Sequence, residues 1–278
     1  MSKKRFCELI DIHPKSIHKG KKVKAISTAK RKREEMDKEV LSGIKEVIRH
    51  RSTYGYKRVT ALYNRKRVNN GLSRYNKKRI YRVMRDNGLL LPKSGILKRE
   101  HKGTGKVMTL YSNTRWCSDC FEIHCFNGEK VYVCFVLDSH DREIISFVSS
   151  YRPLLSEDIQ SLMVMAVERR FSGGRASREI EFLSDRGSIY RAYNVQALAR
   201  RLGLKSCFTR AYSPESNGMA EAFVKTLKRD YVYVSDCYDA QTTMKLLEQW
   251  IYDYNHRAPH SSLGMRSPVE YIKLTQSR

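Results

Sequence analysis

The spacing of apolar side chains changes once along this chain. From residue 34 to about residue 91 they recur at intervals of three and four: Val40, Ile44, Val47 and Ile48, then Val59, Leu62 and Tyr63, then Ile80, Val83 and Met84. That period lines one face of a helix. It predicts three short amphipathic helices, the second opened by Tyr54-Gly55-Tyr56 and broken at Asn70-Gly71, the third running from Asn76 to Asn87-Gly88. With a basic third helix they make a small bundle of the helix-turn-helix sort. After Lys106 the pattern becomes that of strands: residues 115–124, 130–138 (KVYVCFVLD) and 143–149 (EIISFVS). Asn127-Gly128 joins the first two as a hairpin, and residues 138–142 join the second to the third. A helix follows over residues 156–171, with Ile159, Leu162, Met163, Ala166 and Val167 on one stripe. Then come a strand at 180–184, a helix at about 192–202, a short strand at 205–209, and a helix opening after Pro214 with Ser216 or Asn217 as its cap. An amphipathic helical tail covers residues 239–257, with Met244, Leu247, Trp250, Ile251 and Tyr254 apolar. The order β-β-β-α-β-α-β-α defines an α/β layered domain with a mixed sheet.

The remaining segments fix the expected boundaries. Residues 5–20, with Phe6, Leu9, Ile10 and Ile12 before His13-Pro14, fit the second half of a helix-turn-helix without its front, or a basic leader. Residues 19–33 are rich in Lys and Arg and read as a linker or a DNA-contacting arm. The expected organisation is a basic leader with a partial helix-turn-helix (1–33), a helical DNA-binding domain (34–91), a polar, basic linker with Gly95, Gly103 and Gly105 (92–109), a catalytic domain (110–232) and a helical tail (233–278). No run of eighteen apolar residues offers a membrane span, and no apolar signal core follows the basic start, so the expected location is the cytoplasm.

Charge sharpens this division. The 278 residues carry 54 Lys+Arg against 29 Asp+Glu. Residues 1–106 hold 32 against 9, residues 107–278 hold 22 against 20. Such a surplus in the first part exceeds what a solvated face needs and points to a polyanion, most simply nucleic acid. Lys77, Lys78, Arg79, Arg82 and Arg85 on the third helix are candidate phosphate contacts, as are Lys57 and Arg58 at the start of the second. The seven cysteines, without a signal peptide, read as reduced thiols. Cys117-x-x-Cys120 is no zinc half-site, because on a strand the two side chains point to opposite faces.

The chemistry rests on three acids from distant segments. Asp119 lies within the first strand, Asp185 at the end of the fourth, and Glu221 on the helix after Pro214, with 35 residues (186–220) between it and Asp185. First and fourth strands are often neighbours in such sheets, so the two aspartates can converge. Three carboxylates supply the oxygen ligands that hard divalent cations prefer. Two Mg²⁺ ions, roughly 4 Å apart, clamp a scissile phosphate without a covalent enzyme intermediate. Lys225 and Lys228 lie four and seven residues beyond Glu221 on the same helix face and are assigned to phosphates of a bound DNA end, with Asn217 beside the helix start as a further DNA contact. Asp138, Asp141 and Asp230 read as surface carboxylates.

At these residues the chain resembles the DDE transposases of bacterial insertion sequences, namely the second-reading-frame (OrfB) product of insertion-sequence family three, in its insertion-element-two branch. The matching motifs are Trp116-Cys117-Ser118-Asp119, Asp185-Arg186-Gly187-Ser188 and Ser213-Pro214-Glu215-Ser216-Asn217-Gly218-Met219-Ala220-Glu221 with the following Phe223-Val224-Lys225. Thr53-Tyr54-Gly55-Tyr56-Lys57-Arg58 and Tyr254-Asn255-His256-Arg257 also match. The resemblance implies a ribonuclease H-like integrase core with a mixed five-stranded sheet. It implies Mg²⁺ or Mn²⁺, and strand cleavage then strand transfer at the terminal inverted repeats of an element into target DNA. Asp119, Asp185 and Glu221 correspond to the catalytic carboxylates. It further implies fusion by frameshifting to an upstream OrfA product, at least a dimer acting on two element ends, and association with the nucleoid. One residue departs from the family pattern, Arg186 standing where Asn is usual. Competing readings are a related metal-dependent integrase or nuclease, and a catalytically silent, decayed DNA-binding regulator.

Overall fold

A computed structural model describes residues 28–92, 109–209 and 217–276. The leader before residue 28, the linker at 93–108 and the Ser213–Ser216 stretch of the third motif lie outside the described residues. Three helices come first: α1 (Thr28–His50), α2 (Tyr56–Asn69) and α3 (Lys77–Asp86). Their apolar stripes meet in one core of Val40, Ile44, Tyr54, Val59, Tyr63, Ile80, Val83 and Met84. Asn76 starts α3 by accepting the Lys78 amide on its side chain at 2.9 Å, which satisfies one of the unpaired donors at a helix start.

The second unit is built on a five-stranded sheet in the order β3-β2-β1-β4-β5. The strands are β1 (Arg115–His124), β2 (Lys130–Asp138), β3 (Ile144–Ser150), β4 (Ile180–Ser184) and β5 (Leu204–Phe208). β1, β2 and β3 run antiparallel, while β4 is parallel to both β1 and β5. The β1–β2 hairpin turns at Gly128, whose φ of 87° suits glycine. Connecting helices are α4 (Ser156–Arg170), the short α5 (Ser188–Arg191) and α6 (Tyr193–Leu202). α7 (Gly218–Asp230), α8 (Ala240–His256) and α9 (Pro268–Gln276) follow β5.

Side-chain alternation along the strands makes two layers. Trp116, Cys134, Val136 and Ile145 pack on one face with Ile159, Leu162 and Met163 of α4 and Val195 and Ala199 of α6. Cys117, Phe121, Val133, Phe135 and Leu137 pack on the other with Phe223 and Leu227 of α7 and Leu247, Trp250 and Ile251 of α8. Among the described residues no helix is long and apolar enough to cross a membrane.

Two sequence expectations are corrected. Asp138, Asp141 and Asp230 are not surface carboxylates: they are 0 %, 0 % and 5 % exposed. Each has compensating partners, as a buried charge requires. Asp138 accepts the amides of Asn113 and His140 at 2.6 and 2.7 Å, and Arg170 holds Asp141 at 3.1 Å and Glu143 at 2.7 Å. The cysteines are also not all free. Cys120 and Cys134 face each other across β1 and β2 with Cα atoms 4.2 Å apart and are joined as a disulfide.

The three-helix bundle docks on the C-terminal helices through charge. Arg58 of α2 meets Asp230 at 2.6 Å and Thr53 donates to the same carboxylate at 2.7 Å. Arg51 pairs with Asp253 of α8. Arg65 reaches the carbonyls of Arg257 and Met265 and the carboxylate of Glu270, at 2.9, 2.8 and 2.7 Å.

Candidate active site

The sheet register sets two of the three acids. β1 pairs with β4 up to Cys117 opposite Leu183, so Asp119, two residues further along β1, stands level with Asp185 just past the end of β4. Asp119 shares the odd-numbered face of β1 with Cys117 and Phe121, the face that α7 and α8 cover. Glu221 lies in the first turn of α7. It approaches Asp119 because α7 is pinned at both levels: Phe223 packs on Phe135, the strand partner of Asp119, with ring centroids 4.5 Å apart. Asn217, at the cap position, donates its side-chain amide to the Ser118 carbonyl at 3.2 Å. Behind β1, the buried Tyr190 hydroxyl meets the Ser118 hydroxyl at 2.8 Å.

The electrostatics register this convergence. Burial pushes the Asp119 carboxyl up to about 6; the Cys120 amide, 2.9 Å from it, works against that rise, and the charges of Asp185 and Glu221 add to it. The other two acids are steadied locally. Asp185 accepts the Gly187 amide at 3.0 Å, and Glu221 leans toward Lys225 at 3.6 Å. A Cβ at residue 187 would sit 3.0 Å from that Asp185 oxygen, so glycine keeps the acid's turn open. Among the described residues no three acidic, histidine or cysteine side chains stand close enough to hold a metal ion as they are. The donor set nonetheless suits a hard divalent cation: all its ligands would be carboxylate oxygens, and a bound cation would offset the burial and the neighbouring charges that raise Asp119.

The expected DNA contacts separate into two groups. Lys57, Lys77 and Lys78 are exposed. Lys225 is exposed near Glu221, and the Lys228 ammonium lies 5.8 Å from the Phe121 ring centroid. Arg58, by contrast, is engaged by Asp230, and Arg79 and Arg82 both pair with Asp37 of α1, at 3.0 and 2.8 Å. Asn217 is buried and bonded to β1. Arg186 turns its Nε to the Thr209 carbonyl at 3.1 Å. Sequence reasoning missed Tyr190, whose partners lie 56 to 72 residues away. It also missed Arg51 and Arg65, whose only sequence signal was the general basic charge of their segment.

A helix-turn-helix-like bundle followed by a mixed five-stranded sheet, with Asp119 and Asp185 level on β1 and β4, fits a polynucleotidyl transferase of the integrase and transposase class. Family patterns agree: one described as an HTH-like domain matches residues 34–94, and two described as integrase core domains match residues 111–214 and 202–268. The transposase InsD for insertion element IS2A/D/F/H/I/K of Escherichia coli is 45 % identical over 247 residues, covering 88 % of this chain and 81 % of that one. The chain belongs to this family, the DDE transposases of bacterial insertion elements, and it is an enzyme that acts on DNA. Solved structures similar to it include a chain of the simian T-cell lymphotropic virus intasome bound to PP2A regulatory subunit B56 gamma, with TM-score 0.48 and 18 % identity over 59 % of this chain and 55 % of that one. Another is the HTLV-2 integrase catalytic core domain in complex with magnesium, with TM-score 0.44 and 13 % identity over 58 % of this chain and 97 % of that one.

Proposed function

We propose that Asp119, Asp185 and Glu221 are the carboxylates with which this transposase holds two Mg²⁺ ions, cuts element ends and joins them to target DNA. The observation that carries the reading is the register of β1 on β4, which sets Asp119 level with Asp185, while Glu221 opens α7 near enough for both charges to add to the rise that burial gives the Asp119 carboxyl. Bound there, the cations would stabilise charge on the phosphate undergoing in-line displacement and lower the pKa of the attacking water or 3′-hydroxyl. The chain's own residues orient and exclude. Gly187 fixes Asp185, Asn217 and Ser118 fix the start of α7 against β1, and the apolar packing of Phe223 on Phe135 keeps water from the inner side of the site.

Lys225 and Lys228 continue along α7 from Glu221 and are suited to phosphates of the element end. Lys57, Lys77 and Lys78 give the bundle an exposed basic surface for duplex DNA. Arg58, Arg79 and Arg82 also hold the fold, Arg58 through Asp230 and the other two through their shared Asp37. Joining two ends calls for at least two copies, fused to an upstream OrfA product, acting on cytoplasmic DNA.

The test is strand transfer in vitro with Mg²⁺, using labelled element-end DNA, the chain fused to its upstream product, and Asp185→Asn beside it. Joined products from the wild type and none from the variant are the expected result. Products that persist in Asp185→Asn refute the carboxylate assignment.

A further inference from the structure

A second cationic feature lies away from the carboxylates, at the other end of the sheet. The loop from α4 into β4 and the turn from α6 into β5 enclose a cavity of about 720 Å³ whose lining includes Arg175, Arg178, Arg200 and Lys205, with Glu179 as its acid. Its walls are fixed by backbone bonds: Ala176 donates to Leu202 at 2.9 Å and Ile180 to Gly203 at 3.1 Å. Gly203 makes the turn with φ of 81°, and a Cβ there would press on Ala176 at 3.2 Å. Arg175, Arg178, Arg200 and Lys205 are all exposed.

We propose that this cavity grips the phosphodiester backbone of the DNA duplex whose reacting phosphate lies at Asp119, Asp185 and Glu221, a reading that rests on the carboxylate site above. Three observations point there. Charge is concentrated: residues 175–205 hold seven Lys+Arg against three Asp+Glu, although residues 107–278 as a whole are nearly balanced at 22 against 20. The acid does little to neutralise it, because Glu179 meets Lys205 at 3.4 Å with both side chains more than half exposed, a pairing that contributes little in water. The cations are chiefly arginines, whose planar forks match phosphate oxygens.

Position agrees with them. The cavity sits where β4 and β5 begin, and Asp185 follows the end of the five-residue β4. A strand of that length spans about 17 Å, or about five base pairs of duplex at 3.4 Å each. Arg186 and Arg191, both exposed, stand between the two along the chain. A duplex leaving the carboxylates along the β5 edge therefore ends its first half-turn at the cavity.

The DNA could be the element end or the target, and the test separates them. Affinity of the fused protein for an end duplex and for an unrelated target duplex is measured over a range of salt, for the wild type and for Arg175→Glu/Arg200→Glu. Losing two phosphate contacts should make the slope of log affinity against log salt shallower by roughly 2. A change on the end duplex assigns the cavity to donor DNA, and a change on the target duplex assigns it to target DNA. Arg175→Lys/Arg200→Lys should keep the wild-type slope, and Arg175→Ala/Arg200→Ala should move it in the same direction as the reversal if the latter does not fold. Unchanged slopes on both duplexes overturn the proposal. Strand transfer by the wild type is followed alongside: its failure would count against the carboxylate site, while the slopes still report on the cavity.

Discussion

His260 shows at the scale of one residue how burial writes a pH dependence into the fold. Its ring packs edge-on against Tyr254, with centroids 4.5 Å apart, and its Nε2 is buried without a partner. Burial pulls its pKa down to about 4, the backbone of Tyr254 opposes that fall, and the positive charges of Arg58 and Arg142 reinforce it. Above about pH 6.5 the ring is neutral in both folded and unfolded chains, and it costs nothing. As pH falls from about 6.5 to about 4, the unfolded chain binds a proton that the native one refuses, so native stability is lost across that window. The full loss is on the order of 3 kcal/mol. Urea unfolding at pH 7.5 and at pH 4.5 should show wild type losing stability relative to His260→Asn by about that amount. A difference that stays constant with pH would mean the ring is protonated in the native state.

At the scale of elements, α1 and α2 touch through a glycine. A Cβ at Gly43 would lie 2.3 Å from the Tyr63 ring, and that ring is 6 % exposed in the bundle core. Alanine favours a helix over glycine by about 1 kcal/mol, but overpacking a filled contact costs about 1–3 kcal/mol. Gly43→Ala should therefore lower the melting temperature in thermal unfolding, and a higher one would mean that Tyr63 moves aside without loss. The elements themselves were legible because their signal is local. The apolar stripe predicted a helix at 156–171 and Ser156–Arg170 is helical; the alternating run at 130–138 is β2. The third and fifth strands shift by one residue at both ends and the fourth not at all, as periodicity fixes a face better than a boundary. Asn217 was read as a cap or a DNA contact, yet its side chain turns inward to Ser118, 99 residues earlier. The three acids were singled out on a different ground, as their flanking motifs are sequence-local. What holds them is not: Tyr190 reaches Ser118 across 72 residues, and Asp230 finds Arg58 across 172. A carboxylate's sequence neighbours say nothing about such partners, so Asp230 read as a surface residue.

That last pair joins the two halves of the molecule. α7 begins beside Glu221 and ends at Asp230, nine residues later, which is about 13 Å of helix. Its first end is tied to β1 through Asn217, and its last to the three-helix bundle through Arg58 and Thr53. The Asp230 side chain is 1 % exposed and is held by Arg229 at 2.7 Å on each oxygen as well as by Arg58, so removing Asp230 leaves both arginines unpaired, whereas removing Arg58 leaves the acid with Arg229. Such losses run to about 3 kcal/mol or more, whereas replacing both partners with apolar groups of similar size is often neutral. Asp230→Ala should destabilise the chain strongly and Arg58→Met less, since Arg229 still pairs the acid, and the double variant Arg58→Met/Asp230→Leu should be more stable than Asp230→Ala. Strand transfer should follow the same order, because an α7 released at its far end no longer holds Glu221 steadily against Asp119. A double-mutant cycle on urea midpoints, with strand transfer measured on the same proteins, checks both. Additive losses would mean that the bundle and the core are held by Arg51 and Arg65 alone. Full stability with lost transfer would instead assign Arg58 to DNA, as its place in the basic segment first suggested.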